Sequence, residues 1–404
     1  MASSSTLPAT YKALHLTSPS EPLTLTSFPL PLSQTTPTPS PIPGTALVRV
    51  LASPILSYAS AVFQNGNPRG YPYPQPTIPG PSSCIGRVAC ATPQAGATRL
   101  AQGDLVWVDA TVVARDNNPD AVFLQGLFSG FSEASRTLMS QGEGVKGGGS
   151  MAEFVVVPLE NVHVLDQAVL RVTTRRNNLG YTAAELAFLF WLLVPYGGLR
   201  DVQLRVGETI IVSPATGPFG GVAVRVALAM GAGRVVALGR NVEALRALKA
   251  MFEQSHAGRV QVVKITGDVE GDAKALRRAC AGHEGSADVY FDISPPQAER
   301  STHLASAFRA LRRGARVSLM GGVMGDLAVP YGIVMHKDIT IRGKWMYPQE
   351  AVPELVKMIE SGALPIGRAA GIEVDCFPLE EWEAAFQAAE TSTATKYAVF
   401  EPWN

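Results

Sequence analysis

The chain has 404 residues, enough for two domains each with its own core. Lysine plus arginine balance aspartate plus glutamate, 34 against 34, so no net field draws nucleic acid or an anionic membrane. The four cysteines (Cys84, Cys90, Cys280, Cys376) show neither C-x-x-C nor Cys/His ligand spacing, so neither a disulfide framework nor a zinc knuckle is indicated.

In chain order, a strand-like segment at 11–16 is followed by the Ser/Thr/Pro loop SQTTPTPSPIPG. The N-terminus lacks a signal-peptide apolar core, so a cytoplasmic protein is expected. From about 46 to 165, the β-branched runs LVRVLA, IGRVAC, DLVWV and AEFVVVP are broken by Gly and Pro, predicting an irregular β-barrel or sandwich. The polar, Gly-rich insertion at 109–149 reads as a surface excursion or flap. Residues 181–199 predict one helix; its greasy centre, 186–194, is too short to span a bilayer and reads as buried.

Strand, turn, helix and strand then follow in the stretch 205–241. Residues 209–212 are a short apolar strand, and 219–230 carry apolar residues at helical spacing up to Gly231; 234–238 form the next strand. Between the first strand and the helix lies Ala215-Thr216-Gly217-Pro218-Phe219-Gly220, a G-x-G-x-x-G pattern with alanine in its first place. Gly217 would let the backbone approach a pyrophosphate and Gly220 would let the helix pack on the strand, while the helix N-terminus offers free N–H groups. Pro218 suits the first helical turn, where its missing N–H costs nothing. At the tip of the second strand an acidic residue would hold an NAD ribose; Gly239-Arg240-Asn241 stand there instead, leaving room and a charged fork for a 2′-phosphate. NADP(H) is the expected cofactor.

The alternation continues with helix 242–253, strand 260–263, helix 272–281, strand 288–292, helix 297–312, strand 315–320 and strand 339–341. It predicts a doubly wound parallel sheet, whose carboxyl ends would set Ser294, Met320, Gly321 and Gly322 beside the cofactor. EAVPELVKMIESG and PLEEWEAAFQAAE read as helices and KYAVFEP as a closing strand, all expected to return to the first domain.

These residues resemble the medium-chain dehydrogenase/reductase superfamily, in its zinc-independent quinone-oxidoreductase-like branch, with a likeness to fungal zinc-type alcohol dehydrogenase-like proteins. The likeness rests on TALVRVLASPILSYASAVFQNG, TIPGPSSCIGRV, GDLVWV, GSMAEFVVVP, VGETIIVSPATGPFGGVAVRVALAMGA, ALRRGARVSLMGG and HKDITIRGKW, the last with Lys337 and Gly343 in the family's Lys-x-x-x-x-x-Gly. It implies an α/β protein: a GroES-like (chaperonin-10-like) β-rich catalytic domain over 1–180 and 347–404, and a Rossmann domain over 181–346. The active site would lie between them. Where zinc-dependent members carry ligands, this chain has Ser57 and Tyr58 on the early loop, Pro81-Ser82 after Gly80, and Phe190. No metal is expected, because none of these is a zinc donor.

Without a metal, the cleft must bind a small carbonyl substrate through hydrogen bonds. Candidate catalytic groups are Tyr58, Tyr71, Tyr73 and Ser57; Tyr196, Lys344 and Tyr347 are candidate pocket residues. For each tyrosine, a packed aromatic with a satisfied hydroxyl is the competing reading. His15, His163, His256, His283 and His303 do not cluster, which speaks against a triad or a metal site, and His336 reads as structural beside the strand carrying Lys337. Three functions follow: an NADPH-dependent, zinc-independent reductase of an activated C=C, a metal-free alcohol dehydrogenase or ketone reductase, or an NADPH-binding regulatory protein without turnover. The expected partner is a small molecule, not nucleic acid or membrane, for a monomer or homodimer.

Overall fold

The computed structural model describes residues 7–32, 41–92, 99–142, 145, 148–170, 179–280 and 285–404; most of the Ser/Thr/Pro loop, residues 146–147 and His283 lie outside them. Among the described residues two large sheets dominate. One is a sheet of six parallel strands in the spatial order Val260–Lys264, Arg234–Gly239, Thr209–Ser213, Ala287–Asp292, Leu311–Leu319, Thr340–Gly343. Its central strands are buried on both faces, as parallel strands covered by helices must be. The order reverses at Thr209–Ser213, and a ligand crevice forms at such a switch point.

The second sheet contains Thr45–Ile55, Cys84–Thr92, Leu105–Val108, Phe154–Pro158 and Val162–Val164. Chain-terminal strand Lys396–Phe400 joins it antiparallel to Thr45–Ile55, and Glu373–Phe377, unforeseen in the sequence, adds an edge. The return is sealed by aromatic packing: Tyr397 lies 4.8 Å from Trp191 and 5.0 Å from Phe188 between ring centroids, and its hydroxyl donates to the Ala184 carbonyl at 2.9 Å.

Several expected boundaries shift. The helix expected at 181–199 is two, Ala183–Leu186, opened by a Thr182/Glu185 capping box, and Leu189–Asp201. The stretch Ala183–Asp201 is long and apolar enough to cross a membrane, contrary to the estimate from 186–194, yet 78% of it is buried inside the protein as a core element. Helix 297–312 contracts to His303–Arg309 after a 3-10 turn at Pro296–Ala298, and the following strand begins at Leu311. The expected flap is also corrected. Within 109–149, the hairpin Thr111–Val113/Val122–Leu124 and the helix Glu133–Gln141 bury Phe123, Leu127 and Met139 in the main core. Ser132 caps that helix by accepting from the Ser135 N–H at 2.9 Å.

Candidate active site

At the switch point the strand Thr209–Ser213 runs into a tight turn and then the helix Pro218–Ala229. Gly217 is the N-cap, its side free of neighbours and its helix without a side-chain cap, so the first N–H groups are left for an anion. A Cβ on Gly220 would overlap the Pro214 carbonyl oxygen, so only glycine lets this helix lie on its strand. Ala215 is buried and its N–H donates to Leu238 at 2.9 Å, whereas Thr216 and Phe219 are half-buried beside it. Gly239 ends the second strand with its side 3.1 Å from the Thr216 methyl. Arg240 is exposed and has no hydrogen bond or ion pair among the described residues. Asn241 has a helix-capping role: its Oδ1 accepts from the Ala244 N–H at 3.0 Å at the start of the helix Val242–Glu253. Together these residues form a cradle that fits a dinucleotide.

Across the switch point a polar knot braces the other strand ends. The Asp292 carboxylate accepts from the Tyr290 hydroxyl at 2.8 Å and from the Ser294 hydroxyl at 2.9 Å. The Met320 and Gly322 N–H groups donate to the Asp292 and Ser294 carbonyls at 2.9 and 2.7 Å, and a Cβ on Gly321 would meet the Ser294 oxygen. His303, one of the scattered histidines, belongs to this knot: its Nε2 is 2.8 Å from Ser294 Oγ and 2.9 Å from Asp292. A Ser-His-Asp relay needs the two partners on opposite ring nitrogens. Here both share Nε2, while buried Nδ1 has no partner, so the knot holds the loops in shape.

In the other sheet, the strand Thr45–Ile55 delivers Ser57 and Tyr58 to the start of the helix Ala59–Phe63. Asn67, at φ 55°, grips Tyr71 with two hydrogen bonds, Nδ2 to the Tyr71 carbonyl at 2.8 Å and the Tyr71 N–H to Oδ1 at 3.1 Å. The Tyr58 and Tyr71 rings meet edge to face with centroids 6.0 Å apart. Burial first, then the neighbouring Tyr71, push the Tyr58 hydroxyl well above its usual value, opposed by the Arg69 guanidinium 4.2 Å over its ring. Tyr58 is thus a neutral donor across the working pH range. Ser57 is half-exposed beside it.

Three expected site residues have their hydroxyls engaged within the protein. Tyr73 is buried, and its hydroxyl donates to the Val62 carbonyl at 2.9 Å, so it braces the short helix. The Tyr196 hydroxyl donates to Glu354 at 2.9 Å, in an ion pair that Arg200 closes at 2.7 and 3.0 Å, fastening two helices. Tyr347 is buried with its hydroxyl 2.8 Å from Asp109 Oδ1. Lys344 is half-buried, its N–H on the Leu319 carbonyl at 3.0 Å.

Asp109 carries no signal in the sequence and is the residue that reading missed. Burial pushes its carboxyl up to about 6 against the hydrogen bonds from Thr111 and Tyr347, and Oδ2 has no partner. Its folded value lies above the unfolded one of roughly 3.9, so its contribution to stability is full below that pH and is lost as pH rises through about 6. Asp109→Asn is therefore expected to abolish a loss of about 3 kcal/mol between pH 4 and 7.5. Urea unfolding of both proteins across that range checks it; parallel profiles refute it.

At the positions where the family resemblance would place zinc ligands, Phe190 is buried against Trp191 and Ser82 is buried with its hydroxyl unpartnered. Burial raises the nearby Cys84 thiol far above its usual value. Among the described residues no three His, Cys, Asp or Glu side chains come together. The donor set does not fit a divalent metal.

A family profile described as zinc-binding dehydrogenase matches residues 218–361. The chain is 27% identical over 261 residues to L-threonine 3-dehydrogenase of Anaeromyxobacter sp. (strain Fw109-5), covering 63% of this chain and 65% of that enzyme. The match thus spans just under two thirds of that relative. Alcohol dehydrogenase TADH from Thermus sp. ATN1 superposes with a TM-score of 0.70 at 20% identity, over 96% of this chain and 99% of that one. The alcohol dehydrogenase rspB from E. coli CFT073, solved with NADH, gives 0.68 at 16%, over 98% and 100%. The chain has the medium-chain dehydrogenase fold. A GroES-like β-rich part accompanies a Rossmann sheet, and the relatives are dehydrogenases.

Proposed function

We propose that this chain is an oxidoreductase of the medium-chain type that uses a nicotinamide cofactor, specifically NADPH, to reduce the activated C=C of an α,β-unsaturated carbonyl or quinone without a metal. The reading is supported by the Tyr58–Tyr71 pair: burial keeps the Tyr58 hydroxyl protonated, Tyr71 packs edge to face against it, and among the described residues no three His, Cys, Asp or Glu side chains come together. Gly217 and the uncapped helix would take the pyrophosphate, and Arg240 the 2′-phosphate. When bound, the cofactor supplies the hydride. Tyr58 can donate a hydrogen bond to the carbonyl oxygen as it gains negative charge, and Ser57 beside it can pass on the proton.

Product analysis with but-3-en-2-one tests this reading. Saturated ketone supports it; allylic alcohol marks a ketone reductase, and tight NADPH binding without turnover marks a regulatory protein. Activity should persist in chelator, with less than one zinc per chain. A full equivalent of tightly held zinc overturns the metal-free assignment.

A further inference from the structure

The tyrosine pair is the inner end of an aromatic strip. Tyr71 lies 5.3 Å from Phe128 between ring centroids, Phe128 lies 5.0 Å from Phe131 and 6.0 Å from Trp345, and Phe131 lies 6.5 Å from Trp345. Four separate segments supply these rings, and the insertion is pinned to the tyrosine loop by Ser129, which donates to the Pro72 carbonyl through its hydroxyl at 2.8 Å. The outer two rings are open to solvent, Phe131 by 70% and Trp345 by 41%. Two large aromatics left side by side in water are costly unless something flat covers them. At the inner end, Arg69 is stacked on Tyr58 and has no hydrogen bond or ion pair among the described residues. A guanidinium stacked on a ring keeps its in-plane N–H groups free to hold a carboxylate.

We infer that the site takes a flat aryl-conjugated enone bearing a carboxylate near its carbonyl, the aryl group lying along Phe131 and Trp345 and the carboxylate held by Arg69. This rests on the reading above that Tyr58 and Tyr71 face the reacting carbonyl. In the reduction, the C=C π bond is lost as hydride from NADPH forms a C–H bond at the carbon β to the carbonyl. A proton adds at the α-carbon, and NADP⁺ is released.

Three probes separate the parts: 4-phenyl-2-oxobut-3-enoate carries ring and carboxylate, 4-phenylbut-3-en-2-one only the ring, and pent-3-en-2-one neither. Their binding to the full chain loaded with NADP⁺, which permits no reduction, is measured by calorimetry. Affinity is expected to fall roughly tenfold at each loss. Arg69→Ala should remove the advantage of the first probe over the second, a factor of roughly ten. Phe131→Ala with Trp345→Ala should remove the advantage of the second over the third, with the unfolding midpoint retained because both rings are exposed. Equal binding of the three probes by the wild type overturns the inference even if all are reduced at C=C. Graded binding with no C=C reduction upholds it and overturns the reductase reading. If the double variant changes only the oligomeric state, the rings form a contact between copies and the inference falls.

Discussion

Tyr58→Phe is expected to lower turnover on an enone by roughly a hundredfold or more while leaving NADPH binding unchanged. The change removes one oxygen from a site where charge develops on a carbonyl, and little water can replace it beneath the Arg69 and Tyr71 side chains. Because burial and Tyr71 both raise the Tyr58 hydroxyl, the wild-type rate should show no alkaline loss from this group below pH 10. Tyr71→Phe should cost less, since Tyr71 lies farther along the strip and acts partly through its neighbour. Stopped-flow rates of NADPH oxidation for both variants decide the matter. Near-normal turnover in both would move the donor elsewhere or make it water, because Tyr73 is committed to the Val62 carbonyl.

Arg240→Ala is expected to weaken NADPH about ten- to a hundredfold and to leave NADH nearly untouched. A charge-assisted contact contributes about 1.5–3 kcal/mol, and no protein partner among the described residues competes for this guanidinium. The companion change, Gly239→Asp, should turn preference toward NADH by repelling the 2′-phosphate and accepting a ribose hydroxyl. It brings a Cβ within 3.1 Å of the Thr216 methyl, so the swap should work best with Thr216→Ser. Calorimetric affinities for the two cofactors check both variants. Equal affinity of the wild type for NADH and NADPH would refute the assignment.

The dinucleotide half was legible because its signals are local. A β-branched run makes the strand Thr209–Ser213, Pro218 starts the helix, and Gly231 at φ 96° follows its end. The alternation of elements predicted the parallel sheet. Side-chain direction was not readable. Tyr73 and Tyr71 stand two apart in one loop, yet one hydroxyl is spent on the main chain and the other ring packs against Tyr58 and Phe128. Asp109 and Tyr347 meet across 238 residues, and His303 finds Asp292 eleven residues away through a helix that the spacing made too long. Periodicity tells which face of an element is apolar, not which element will cover it. The insertion misled for the same reason: its glycines and polar residues suggest exposure, while Phe123, Leu127 and Met139 carry it into the core.

The pairing of Lys396–Phe400 with Thr45–Ile55 has a consequence for the order in which the protein is made. The parallel sheet draws all its strands from one continuous stretch between Thr209 and Gly343, so it can assemble as soon as that stretch has been synthesised. The other sheet cannot be completed then, because Ser53–Ile55 at the end of that strand wait for residues translated some three hundred and forty positions later, although Thr45–Arg49 already pair with Phe154–Pro158. Contacts of such sequence separation close slowly, and an uncovered strand edge invites pairing with other chains. During synthesis, the early β-rich part is accordingly the portion most in need of chaperone protection.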